Sequence, residues 1–121
     1  MAVVLVVEDN VFIRESAEMM TQACGHDTLS ASDVDEALSL LRSSEHIDVL
    51  FTDIYLKNLT SGGCDLALEA VRLRPELLVL YTTGNVVSDK MKALFIEGTQ
   101  LIRKPYIQRQ LQDSFTSLLA G

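Results

Sequence analysis

Four short runs hold the residues best equipped to do chemistry: Glu8-Asp9-Asn10, Thr52-Asp53-Ile54, Thr82-Thr83-Gly84 and Arg103-Lys104-Pro105. Each follows a short apolar segment of strand character, so each stands where a strand would end. If those ends share one rim, three carboxylates, a hydroxyl and an ammonium converge. Clustered carboxylates repel one another and hold protons too tightly unless a cation joins them. An all-oxygen donor set suits a hard ion such as Mg²⁺, which keeps several of its waters. No His or Cys adjoins the acids in the pattern, which argues against zinc. A carboxylate beside Mg²⁺, an ammonium and a hydroxyl is equipped for phosphoryl transfer, a chemistry of positioning and charge neutralisation. The nucleophile would then be a carboxylate that becomes an aspartyl phosphate. Singly, each residue has a plainer reading. A strand-end Asp often caps a helix, a Thr-Gly pair is turn chemistry, and a lone Lys is usually solvated. Their joint placement is what favours the chemical reading.

The elements needed to position these residues can be followed along the chain. Val3 to Val7 is a continuous β-branched run, suited to a strand buried on both faces. Val11 to about Ala23 carries apolar residues at helical spacing and is stopped by Gly25. Thr28 to Ala31 reads as a short strand, and Ser32 or Asp33 as the cap of a helix to about Ser43. Ile47 to Thr52 reads as a strand ending at Asp53. A polar, glycine-bearing loop follows from Lys57 to Gly63, then a helix from Cys64 to Leu73, ended by Pro75. Leu77 to Tyr81 reads as a strand running out into Thr82-Thr83-Gly84. A helix from Ser88 to Glu97 is closed by Gly98. Gln100 to Arg103 reads as a strand, and Ile107 to Leu119 as the last helix. Strict alternation of strands and helices predicts an α/β fold with a parallel sheet and helices on both faces. Such sheets place their ligand site outside the carboxyl ends of the strands.

Composition agrees with one domain over residues 1–121: 13.4 kDa, 48% hydrophobic and 22% charged residues. The net charge of −7 disfavours binding to nucleic acid. Residues 1–48 hold ten acids against Arg14 and Arg42, whereas residues 49–121 hold seven acids and eight bases. Cys24 and Cys64 suggest neither a zinc site nor a disulfide framework and fit a reducing, cytoplasmic setting. No apolar run is long enough to span a bilayer. The apolar start from Met1 to Val7 lacks a basic flank and reads as a strand, not a signal peptide. His26 and His46 lie away from the acidic residues, and Met19, Met20 and Met91 read as packing residues.

Together the four runs resemble the receiver domain of bacterial two-component response regulators, over nearly the whole length. Asp9 and Asp53 are 44 residues apart, Asp53 and Thr83 30 apart, and Asp53 and Lys104 51 apart, which fits that family. The resemblance implies a flavodoxin-like five-stranded parallel sheet of order 2-1-3-4-5 with five helices. It implies that Asp53 is the phosphoacceptor and that Mg²⁺ is held by Asp9 and Asp53 directly, by Glu8 through water and by the Tyr55 carbonyl. Thr83 and Lys104 would bind the phosphoryl group, and Lys104-Pro105 would be cis. The partner implied is a sensor histidine kinase or a histidine phosphotransfer protein. The output, to a downstream protein or a second copy, would pass through the face of the fourth helix, fifth strand and fifth helix. The domain would assist its own phosphorylation rather than turn over a substrate.

The chain departs from the family pattern at several points. Lys57 stands where members carry Pro, and the loop to Gly63 is longer, with glycines that add backbone freedom. Leu101 stands where a switch aromatic is usual, and Tyr106 is a candidate substitute or an anchor for the last helix. Tyr55 and Asn85 are placed to tune hydrolysis of the acyl phosphate. Two other readings remain at this stage. An interaction-only receiver would fold alike but never be phosphorylated. A haloacid-dehalogenase-like phosphatase would need a second acid where Tyr55 stands.

Overall fold

The computed structural model describes residues 1–56 and 62–120. Five parallel strands, β1 (Val3–Val7), β2 (Asp27–Ala31), β3 (Val49–Asp53), β4 (Leu78–Thr83) and β5 (Gln100–Arg103), form one sheet of order β2-β1-β3-β4-β5. Five helices alternate with them: α1 (Val11–Ala23), α2 (Val34–Arg42), α3 (Gly62–Leu73), α4 (Asp89–Lys92) and α5 (Gln108–Ala120).

The two-residue period of the strands divides the core. Leu5, Val7, Leu50, Val79 and Tyr81 point to the side of α2 and α3, while Val4, Val6, Val49, Phe51 and Leu80 point to the side of Ala17, Leu111 and Phe115 from α1 and α5. This is why the central strands read as unbroken apolar runs: both faces are covered. Phe115 meets the edges of Phe51 and His26, and His26 accepts the Ala2 N–H. His26 thus packs within the fold, away from the acidic rim.

Caps set the helix starts. The Asn10 side chain accepts the Phe12 and Ile13 N–H groups at 3.0 and 3.1 Å. Asp33 accepts Glu36 N–H at 2.8 Å, and Glu36 returns the bond to Ser32 N–H at 3.2 Å. At the far end of α2, the Arg74 guanidinium donates to the carbonyls of Leu41 and Ser43, each at 2.9 Å, tying the end of α3 to orphan carbonyls.

Two elements differ from expectation. The third helix begins at Gly62 rather than Cys64. Gly63 serves close approach rather than loop freedom: a Cβ there would lie 2.0 Å from the Asp53 carbonyl oxygen. Its N–H donates to Ile54 O at 2.9 Å. The remainder of the expected long loop, residues 57–61, lies outside the described residues.

The fourth helix is a single turn, Asp89–Lys92, instead of running to Glu97. The Leu94 and Phe95 N–H groups bond three residues back, to Met91 and Lys92. This tighter path brings Phe95 onto Tyr81, with ring centroids 4.5 Å apart and planes 29° apart. Burial of that ring outweighs continued helix formation. Tyr81 itself is fully buried and pairs with Leu101 in the β4–β5 register. The aromatic absent from β5 is therefore matched by one on β4. Both cysteines are free; buried Cys64 lies 3.8 Å from the Met91 sulfur, and burial pushes its thiol up to about 11.

Candidate functional site

The carboxyl ends of β1, β3, β4 and β5 meet at one rim because parallel pairing continues one residue past each strand. Glu8 N–H donates to Ala31 O, Ile54 N–H to Thr82 O and Lys104 N–H to Thr83 O, at 3.2, 2.9 and 2.9 Å. The backbone of each residue is thereby held before its side chain does anything.

Lys104 Nζ then reaches across the rim. It lies 2.6 Å from Asp53 Oδ2 and 2.6 Å from Glu8 Oε1. Asp53 is 7% exposed and Glu8 4%. Burial alone would lower the Lys104 pKa, but the hydrogen bonds and charges of Asp53 and Glu8 outweigh it and raise it. Glu8 is also raised, first by burial and then by its hydrogen bond with Asp9, against the lowering pull of Lys104 and the Asn10 N–H. Its other oxygen accepts that N–H at 3.1 Å. The ammonium therefore only partly offsets the negative charge gathered here.

The remaining expected residues lie around this centre. Asp9 is exposed at the mouth, beside Glu8. Tyr55 donates its N–H to Asp53 Oδ1 at 3.0 Å, and its ring packs partly against the core. Thr83 is fully buried, and its hydroxyl accepts the Asn85 N–H at 3.1 Å. The structure thus joins Glu8, Asp53 and Lys104 directly, with Asp9, Tyr55 and Thr83 adjoining. Lys104-Pro105 is cis. Tyr106 packs against Phe51 at a centroid distance of 6.2 Å, and burial pushes its phenol up to about 12.

Two contributors were not singled out from sequence. Arg14 donates to the Glu8 carbonyl at 2.9 Å and holds the turn that carries both acids. Its signal was available: it is one of only two bases among the first 48 residues. Gly63 left no such signal, since its need comes from the approach of α3 to β3.

Among the described residues, no three His, Cys, Asp or Glu side chains gather closely enough to hold a metal ion unaided. The donors at the mouth are all oxygens, and the raised Glu8 marks uncompensated negative charge. That set fits a hard divalent ion retaining several waters and does not fit zinc.

Comparison with known proteins bears on what this rim belongs to. The model of the response regulator receiver domain family matches residues 4–116. The chain belongs to the response regulator receiver domain family. A probable transcriptional regulator ycf27 of Porphyridium aerugineum is 28% identical over 116 residues, 96% of this chain and 47% of that protein. Protein PilG of Pseudomonas aeruginosa is 25% identical over 109 residues, 89% of this chain and 80% of its own. A receiver domain protein from Clostridium thermocellum superposes with a TM-score of 0.85 at 25% identity, covering 99% of this chain and 95% of that one. A response regulator receiver protein from Sinorhizobium medicae gives 0.88 at 21% identity, covering 99% and 95%. The receiver spans about half the length of the ycf27 relatives it matches. No helix among the described residues is long and apolar enough to cross a membrane.

Proposed function

We propose that this receiver accepts a phosphoryl group on Asp53 from a phosphohistidine of a histidine kinase or phosphotransfer protein. The observation that carries the reading is Lys104 Nζ at 2.6 Å from Asp53 Oδ2, with Glu8 on its other side. An Asp53 oxygen attacks phosphorus, the P–N bond to the donor histidine breaks, and that histidine recovers a proton from solvent. Asp53 is preset for this by two bonds, one to each oxygen, so its carboxylate plane is fixed. As the P–O bond forms, Lys104 can transfer its bond from the carboxylate to a phosphoryl oxygen, following the charge. The Thr83 hydroxyl would turn from Asn85 to the same group.

Mg²⁺ would be held by Glu8, Asp9, Asp53 and the Tyr55 carbonyl, and would supply charge neutralisation. The donor partner has a surface to meet. Beside Lys104, a groove of about 600 Å³ is lined by Phe12, Ile13, Met20 and Tyr106, and Phe12 is 79% exposed. Output to a downstream protein or a second copy would use the mildly basic face of α4, β5 and α5, with Lys90, Lys92 and Arg103. The domain would act as a cytoplasmic switch rather than a turnover enzyme.

Incubation with acetyl phosphate and Mg²⁺, followed by intact-mass measurement, tests this. A gain of one phosphoryl group, abolished by Asp53→Asn, is expected. No gain would favour an interaction-only receiver, for which the Lys104 pairing with Asp53 and Glu8 would be a permanent closure of the site.

A further inference from the structure

The face between α2 and α3 carries a cleft of about 400 Å³ that the phosphoryl chemistry does not use. Leu56 and Leu66, each 1% exposed, close its floor, and half-buried Val34 and Leu38 form one wall. Val34 and Leu38 stand one turn apart on α2, so they present one apolar edge. The opposite rim is acidic: Asp65 and Glu69 stand one turn apart on α3, and Asp35 faces them from α2. Asp33 adds a fourth carboxylate at the end of the cleft, with one oxygen engaged in capping α2. No described residue lining the cleft is basic. The nearest described cation on α3, Arg72, reaches Glu69 only at 3.7 Å from a 75% exposed side chain, a weak surface pair. Asp65 also has a partner within the chain, so the excess of negative charge is a property of the whole rim, not of one free carboxylate.

We propose that this cleft docks a basic amphipathic segment of another protein, with an aliphatic side chain seated against Leu38, Leu56 and Leu66 and lysine or arginine along the rim. Apolar contact supplies the affinity and the acids set the sign of the partner. A second copy of this chain is a poorer occupant, since two molecules of net charge −7 repel. The proposal is independent of phosphorylation and can be tested in Asp53→Asn, so its failure and that of the phosphoacceptor reading are separable.

The probe is a synthetic amphipathic helix built of leucine and lysine, titrated into isotope-labelled protein at physiological salt, with a leucine–glutamate helix as control. Saturable shifts confined to Val34, Leu38, Leu66, Glu69 and their neighbours are expected with the lysine peptide alone. Asp35→Lys combined with Glu69→Lys should weaken binding about tenfold, close to the worth of two rim charge pairs. Leu38→Ser should weaken it while leaving the spectrum of the sheet unchanged. Shifts scattered over the acidic surface, shifts centred on Phe12, or equal binding of the glutamate peptide would overturn the proposal. So would contacts of residues 57–61 with Leu38 and Leu66 in the free protein, which would make the chain's own loop the occupant. Concentration-dependent shifts of the same residues without peptide would assign the cleft to a second copy and overturn it as well.

Discussion

Lys104 ties two buried carboxylates that would otherwise repel. Lys104→Met leaves Glu8 and Asp53 facing each other with less compensation. The folded state should lose about 2 kcal/mol, since breaking a buried pair leaves an uncompensated charge. Urea unfolding at neutral pH measures the loss, and unchanged stability would show that water already screens the pair. Asp53→Asn removes the repulsion together with the acceptor and should not lower stability comparably. Tyr55 lies next to the Asp53 carboxylate, its ring partly packed on the core. If that ring limits the approach of water, Tyr55→Ala shortens the acyl-phosphate lifetime; an unaltered lifetime would assign the ring to packing alone. The acids, the hydroxyl and the ammonium were all legible as residue types at strand ends. Arg14 was not, because its task is to hold a backbone carbonyl, and that leaves no trace in residue spacing.

At the scale of elements, two junctions bear on the site. The first is α3 against β3. Gly63→Ala places a methyl group into the Asp53 carbonyl, so either α3 or the phosphoacceptor backbone must shift. A destabilisation of about 2–3 kcal/mol is expected, with slower phosphorylation because Asp53 is displaced; chemical denaturation and the rate of mass gain measure the two. The second is the one-turn α4 and the segment after it. The Phe95 ring on Tyr81 anchors this segment, and Tyr81 shares a strand face with Thr83. Phe95→Ala should cost about 2 kcal/mol, less than a fully buried ring would, and should raise hydrogen exchange at Leu94 and Ile96 before the rest of the sheet. Uniform exchange would show that the stack does not hold that segment. Helical spacing from Ser88 to Glu97 predicted a longer helix, since periodicity cannot weigh a backbone turn against a ring waiting on the neighbouring strand.

For the whole molecule, alkaline pH gives a test of packing. Burial pushes Tyr81 and Tyr106 up to about 12, one on each side of the sheet. Each phenol binds its proton more tightly when folded, so the stability this contributes is complete below the unfolded value near 10. It is lost as pH rises through about 12. Phenolate absorbance should show these two groups resisting ionisation until unfolding begins, and titration of all three tyrosines near 10 would contradict the burial. Much of this architecture was set by the sequence alone. Apolar strands alternating with amphipathic helices allow few arrangements, and a parallel sheet must place its strand ends on one rim. The acidic, hydroxyl and basic residues were therefore assigned to a common edge without coordinates. The tertiary structure alone decided the contacts that depend on distance between elements: Lys104 shared between Asp53 and Glu8, Gly63 against the Asp53 carbonyl, Phe95 on Tyr81, and the cleft between α2 and α3. Local pattern encodes which face a residue turns, whereas these contacts arise only when separate faces are packed together.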